Sequence, residues 1–246
     1  MVDVIRKLSR RIVRLAGEWN AATCVLCSAR GASPALDLCA DCRADLPVND
    51  DACARCAEPL ARRISRSPLI CGACLRHPPR FDATLCALRY AYPVDQMVQR
   101  LKYGGAVAYG RVLGELLADR VRTRRAALPD CIVPMPLAQS RFRARGYNQA
   151  IEVAAVLERR LSVPVRTDLV ERIRHTREQA ELDRTQRRRN VRGAFALREK
   201  LPGQHIAIID DVVTTGSTVN ELARVLKRAG ARRVDVWAVA RAGRMK

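Results

Sequence analysis

Two adjacent carboxylates followed by a run of hydroxyls around one glycine can hold a phosphorylated sugar. The run Asp210-Asp211-Val212-Val213-Thr214-Thr215-Gly216-Ser217-Thr218 has that order. The preceding stretch, His205–Ile209, is apolar after its first residue, as a strand buried on both faces of a parallel sheet should be. The carboxylates then stand at the carboxyl end of that strand, where open α/β sheets bind ligands. Gly216 lets the backbone approach a ligand closely. The N–H groups from Thr214 to Thr218 can surround a phosphate at the start of the next helix, with donors added by the Thr215 and Thr218 hydroxyls. Asp210 and Asp211 would repel that phosphate. They suit ribose hydroxyls and a Mg²⁺ ion held between sugar and pyrophosphate. A helix cap alone needs one such residue, not the whole array.

A second constellation lies upstream. Eight of the ten cysteines form four Cys-x-x-Cys pairs between Cys24 and Cys74. Cys24, Cys27, Cys39 and Cys42 make one candidate four-thiolate site, and Cys53, Cys56, Cys71 and Cys74 another. Each pair supplies two sulfurs from one tight turn, and two turns complete a tetrahedron, which is a closed, structural zinc site. Iron–sulfur ligation is the alternative, and spacing leaves open whether the pairs join in sequence or interleave. The segment from Thr23 to Pro79 is poor in large apolar residues, so it needs a metal to fold. Cys86 and Cys131 sit in apolar surroundings and read as core residues.

Elements that would position the first constellation follow from periodicity. Strands are expected over Thr84–Tyr90, Asp130–Pro134, a stretch that Pro164–Arg166 leads into and that ends near Glu171, His205–Ile209 and Arg233–Ala240. Helices are expected over Val94–Tyr103, Ala108–Arg124, Gly146–Arg160 and Val219–Ala229. Strands alternating with helices argue for a parallel α/β sheet. Met1–Asn20 reads as a basic amphipathic helix, fit to pack on its own protein or to lie on a membrane or DNA. Arg172–Val191 is very polar and reads as a mobile loop.

The run His205–Thr218 resembles the phosphoribosyl pyrophosphate (PRPP) motif of type I phosphoribosyltransferases. That resemblance implies that Asp210 and Asp211 contact the ribose hydroxyls while Thr214, Thr215, Gly216, Ser217 and Thr218 hold the 5′-phosphate. Members acting on 6-oxopurines carry an Asp at the position of Thr214. Thr is no general base near neutral pH, so that subclass is not expected. Arg100–Gly105, Val133–Pro136, Arg141–Ala150, Arg172–Gln179 and Arg187–Phe195, taken with the cysteines, resemble the ComF family, which is linked to natural transformation. The resemblance runs from Thr23 and implies a double zinc ribbon over 23–80 and a phosphoribosyltransferase-like domain over 81–246; the basic helix over 1–22 is read from periodicity alone and has no counterpart in it. The phosphoribosyltransferase-like domain is expected as a parallel sheet with helices on both faces. Pro134, Met135 and Pro136 fall where this superfamily binds pyrophosphate, and their prolines would fix a turn, a cis bond being one form of it. Arg141, Arg143, Arg145 and Asn148 can meet pyrophosphate oxygens, and Lys102 and Tyr103 are further candidates. Arg172, Arg174, Arg177 and Gln179 belong to a segment resembling the loop that closes over PRPP.

Charge points the same way. Of a net +20, +15 falls in residues 81–246, so a polyanion should be held there. Phosphate-rich ligands or single-stranded DNA fit, although stacking on bases is poorly supported by 4% aromatic residues. Three functions stay open: a phosphoribosyltransferase of unknown acceptor, a nucleic-acid-binding accessory of DNA uptake, and a PRPP-sensing regulator. No apolar run reaches the roughly 20 residues of a membrane span, and no signal peptide is visible, so a cytoplasmic protein is expected.

Overall fold

The computed structural model describes residues 23–30, 36–60, 69–104, 107–174, 191–201 and 203–243. The expected basic helix over 1–22 lies outside these residues, as do Arg177, Gln179 and Arg187–Arg189 of the expected loop. The chain divides into two compact units, Met1–Leu46 and Pro47–Lys246. In the smaller, Thr23 and Arg30 form an antiparallel bridge, and helix α1 (Ala40–Ala44) starts at Cys39, whose sulfur accepts the Cys42 N–H.

The larger unit carries the second cysteine cluster, with helix α2 (Gly72–Arg76) inside it, and the sheet. Its described strands are β1 (Ala83–Arg89), β2 (Cys131–Pro134), β3 (Val170–Arg172), β4 (Phe195–Leu197), β5 (His205–Val213) and β6 (Arg233–Arg241). β1, β6, β5 and β2 lie side by side in that order, all parallel. Val165 pairs in parallel with Ile132 beyond β2, and Val48 pairs antiparallel with Leu88 beyond β1. Consecutive residues Ile206, Ala207, Ile208 and Ile209 are all fully buried, so both faces of the sheet are covered.

Helices α3 (Val94–Tyr103), α4 (Val107–Thr123), α5 (Gln139–Arg145), α6 (Gln149–Leu161) and α7 (Ser217–Arg228) complete this unit. In α7 the buried residues Val219, Leu222, Ala223 and Leu226 recur at three- and four-residue steps, forming one apolar stripe against the sheet. α4 and α6 pack on one another at short range. A Cβ at Gly114 would stand 2.7 Å from Val156 Cβ, and one at Gly110 3.2 Å from Glu152 Cβ. The two helices therefore meet through glycine. Gly114→Ala is expected to destabilise the chain by about 1–3 kcal/mol through overpacking, read as a lower thermal midpoint.

The structure departs from the sequence reading in four places. β5 does not stop at Ile209: Val212 and Val213 go on pairing with Ala240 and Arg241 of β6, so both aspartates lie within the strand. The helix expected from Gly146 begins at Gln149, and a further helix, α5, precedes it. Gly146 adopts φ 78° at the end of α5, and the Asn148 side chain caps α6 by accepting the Ala150 N–H. The strand expected to end near Glu171 is the short β3, which pairs antiparallel with β4 outside the parallel sheet. The cis peptide among the described residues is Tyr92–Pro93, not one within Pro134–Pro136.

Candidate functional site

The carboxyl ends of β2 and β5 and the helices after them enclose a pocket of about 320 Å³. Asp210, Asp211, Thr214 and Thr218 form one wall, Met135, Pro136 and Arg141 another, and Lys102 and Arg172 also reach it. Residues far apart in sequence are thus brought to one concavity at the strand ends.

The acidic wall is tightly held. Asp211, 9% exposed, accepts the Val212 N–H through Oδ1 and pairs with Lys102 through Oδ2 at 3.0 Å. Asp210 Oδ1 accepts the Asp211 N–H at 2.9 Å. Burial first, and then the neighbouring Asp211 charge, push the Asp210 carboxyl well above the usual carboxylate range. For Lys102, burial works to lower its pKa, but Asp211 and Asp210 outweigh it and keep the ammonium charged.

The opposite side is cationic. Arg172 donates to the Pro136 carbonyl at 3.5 Å and lies 5.7 Å from the Phe195 ring centroid. Burial and then the charge of Arg141 lower its pKa, and both guanidinium groups line the pocket. Arg145 sits over the Tyr103 ring at 4.8 Å, donates to its hydroxyl, and donates to Gln149 Oε1 at 3.1 Å. Asn148 Nδ2 donates to the Met135 carbonyl at 3.0 Å and so fixes the turn after β2.

The loop after β5 begins α7. Gly216 takes φ 75° at the N-cap, a left-handed conformation that favours glycine. Thr215 Oγ1 accepts the Ser217 N–H at 3.3 Å and lies 2.9 Å from Ser217 Oγ. Of the loop residues, Thr214 and Thr218 line the pocket, while Thr215, Gly216 and Ser217 line a larger groove that also borders Cys56, Arg80 and Arg228. Pro134 is the buried last residue of β2 and shapes the turn without lining the pocket. Arg174 is not in the pocket wall. It donates to the Arg192 carbonyl at 2.9 Å, which ties together the two chain ends flanking residues 175–190. Gly193 is held in turn by its N–H to Glu221 of α7 at 2.8 Å.

Sequence reasoning missed Tyr90 and Gln149, which also line the pocket. Gln149 is 3% exposed, and its Nε2 has no partner among the described residues, leaving a spare donor beside the pocket. Its position at the start of a helix behind a basic run was the available signal.

Each set of four cysteines expected as one site comes together in sequence order, the sulfurs within 4.8 Å of one another. Cys27 and Cys39 sulfurs are 3.6 Å apart, and Cys56 and Cys71 sulfurs 3.7 Å. A tetrahedral zinc with bonds of about 2.3 Å sets sulfurs about 3.8 Å apart, so both clusters fit the ion. The Cys71 N–H reaches Cys53 Sγ at 3.2 Å. Cys53 is held below the usual thiol range, by Cys56 first and by backbone N–H groups after that, while Cys56 and Cys74 of the same cluster are pushed above it. Cys86 and Cys131 are buried and free, as core residues.

Known proteins share this plan. Residues 21–75 match the double zinc ribbon domain and residues 147–245 the phosphoribosyl transferase domain. Competence protein F of Haemophilus influenzae is 37% identical over 179 residues, covering 70% of this chain and 78% of that protein. The chain belongs to the ComF family. DNA utilization protein YhgH of Escherichia coli K12 is 36% identical over 222 residues, covering 89% of this ComF chain and 96% of that protein. Competence protein ComFC of Streptococcus pneumoniae is 25% identical over 210 residues, covering 83% and 87% respectively. The phosphoribosyltransferase-type sheet and the paired zinc-ribbon clusters are thus features of a competence-linked family. Among the described residues no helix is long and apolar enough to cross a membrane.

Proposed function

We propose that this ComF protein binds Mg²⁺-PRPP in the pocket at the ends of β2 and β5 and acts as a phosphoribosyltransferase. One observation carries the reading: an acidic pair, Thr214 and Thr218 at the two ends of the following loop, and a cluster of cations line a single concavity. Asp210 and Asp211 accept the ribose hydroxyls. The Thr214–Thr218 loop takes the 5′-phosphate with its N–H groups and hydroxyls. Arg141, Arg172 and Lys102 meet the pyrophosphate, and the turn Pro134–Met135–Pro136 lies beneath it. Mg²⁺ suits the carboxylate oxygens and, when bound, neutralises pyrophosphate charge. In the reaction an acceptor atom bonds to ribose C1 while the C1–O bond to pyrophosphate breaks, the electron pair leaving with the pyrophosphate. The fixed cations stabilise that departing charge without reorganising.

Titration calorimetry with the two halves of the ligand tests this. Ribose 5-phosphate and Mg²⁺-pyrophosphate are each expected to bind and to compete with PRPP. Arg141→Ala should weaken pyrophosphate about tenfold or more, the loss of one charge-assisted contact, and leave ribose 5-phosphate within a factor of two or so. Absence of binding by either half at millimolar concentration would sink the reading.

A second reading has its own support. The groove behind the loop carries Arg80, Arg192, Arg224 and Arg228, and relatives are named for competence and DNA utilization. If single-stranded DNA runs there, its affinity will fall with salt at a log–log slope of about −0.7 per phosphate contacted. A salt-independent affinity would remove it.

A further inference from the structure

Arg241 ends β6 at 2% exposure, and its guanidinium joins two parts of the chain that lie far apart in sequence. Nη1 donates to the Val213 carbonyl at 3.0 Å and also to the carbonyls of Thr214 and Ala242. Nε donates to the Cys56 carbonyl at 3.1 Å, and Nη2 pairs with the Glu58 carboxylate. Val213 is the last residue of β5 and Thr214 the first of the loop that opens at Gly216. Cys56 belongs to the second metal cluster, its sulfur 3.7 Å from that of Cys71. The Cys53–Glu58 turn is closed by Ala57 N–H to the Cys53 carbonyl and Cys53 N–H to the Glu58 carbonyl, each at 2.8 Å. Its two cysteines supply half of the thiolates of that cluster.

One rigid, permanently charged fork therefore clamps a metal-holding turn to the hinge of the anion loop. We propose that Arg241 is a positioning residue that couples metal occupancy of the Cys53–Cys74 cluster to the anion affinity of the Thr214–Thr218 loop. The proposal rests on the reading of that loop as a phosphate site. With metal bound, the turn is fixed, and the Cys56 carbonyl and Glu58 carboxylate hold the guanidinium in place. The guanidinium then fixes the Val213 and Thr214 carbonyls, and with them the backbone whose N–H groups must surround a phosphate. Without metal the turn is freed, the fork loses two of its anchors, and the loop loses its preorganisation. Coupling of this kind is reciprocal: whatever factor the metal adds to anion affinity, the anion adds to metal affinity.

The test uses the full zinc-loaded chain, with ribose 5-phosphate as the probe. Zinc release to a chromogenic chelator is followed with and without saturating probe, and probe affinity is measured by calorimetry. A Cys27→Ser chain, which keeps the second cluster intact, identifies the phase of release that belongs to that cluster. In wild type the probe should slow that phase about fivefold. In Arg241→Lys, which keeps the charge and loses the fork, the slowing should vanish and probe affinity should fall about tenfold. Glu58→Gln, with all cysteines retained, should show a smaller change in the same direction. Probe binding to wild type with zinc release unaltered would overturn the coupling alone. No probe binding at all would overturn both the phosphate site and the coupling that rests on it. The wild-type measurement stands whether or not the Arg241 variant folds.

Discussion

Cys53→Ser will reduce the zinc content from two ions per chain to one and open the segment around residues 53–74 to protease, while the parallel sheet persists. The reason is the composition of that segment's interior. Among its described residues, the buried side chains between positions 50 and 80 are Cys53, Ala57, Cys71 and Cys74, and Cys56, Leu60, Ile70 and Ala73 pack partly against the cysteine cluster. A fully buried Leu or Val contributes about 1.5–3 kcal/mol, and the described residues of this segment include none. Structural zinc contributes on the order of 10–16 kcal/mol of binding free energy in small metal-folded domains. Metal ligation is therefore the dominant stabilising interaction, and one lost thiolate should release the ion. The sheet has its own support in a core running through Ile132, Leu157, Ile206, Ile208 and Val236. Elemental analysis and limited proteolysis check the outcome. Retention of two zinc ions by the variant would contradict it.

Asp210→Asn will separate stability from function in opposite directions. Asp210 is raised above the usual carboxylate range by burial and by the adjacent Asp211 charge. A carboxyl whose folded pKa exceeds its unfolded value binds its proton more tightly in the folded chain. Stability is then lost as pH rises from the ordinary carboxylate value through the raised one, because the unfolded chain releases that proton first. An amide removes this cost. The variant is expected to be more stable than wild type at pH 8 by about 1 kcal/mol or more, and its stability should decline less between pH 5 and pH 8. Ligand binding moves the other way, because Mg²⁺ and ribose hydroxyls prefer the ionised carboxylate. Mg²⁺-PRPP affinity should fall about a hundredfold, and binding to wild type should release a proton that the variant does not. Calorimetry in buffers of different ionisation enthalpy reads that proton directly. A variant with lower stability and full affinity would show that Asp210 is a scaffold residue.

Much of the site was legible because its chemistry is local. The acidic pair, glycine and hydroxyl run are contiguous, and each Cys-x-x-Cys turn carries its own ligand geometry. Helix α3 over Val94–Tyr103 was also legible, since Val94, Met97, Val98 and Leu101 mark one buried face. What escaped depends on pairing across the chain. The extension of β5 to Val213 is set by the length of β6, a partner that no local pattern specifies. β4 is three residues long and pairs with a strand more than twenty positions earlier, too short for alternation to show. Helix α5 escaped because Gln139–Arg145 buries no side chain and so shows no apolar face, and α6 starts only after the left-handed Gly146 and the Asn148 cap. Arg241 escaped as well. In sequence it is one arginine in a basic tail, and its contacts form only where β6, the end of β5 and the Cys56 turn meet.

The central claim is that the pocket beyond β2 and β5 is a live PRPP site. Calorimetric titration of Mg²⁺-PRPP into wild type and into the Asp210→Asn/Asp211→Asn double variant tests it most directly. The account predicts saturable micromolar binding in wild type and its loss in a double variant that remains folded and zinc-loaded. Equal binding by both proteins, or none by wild type, would contradict it.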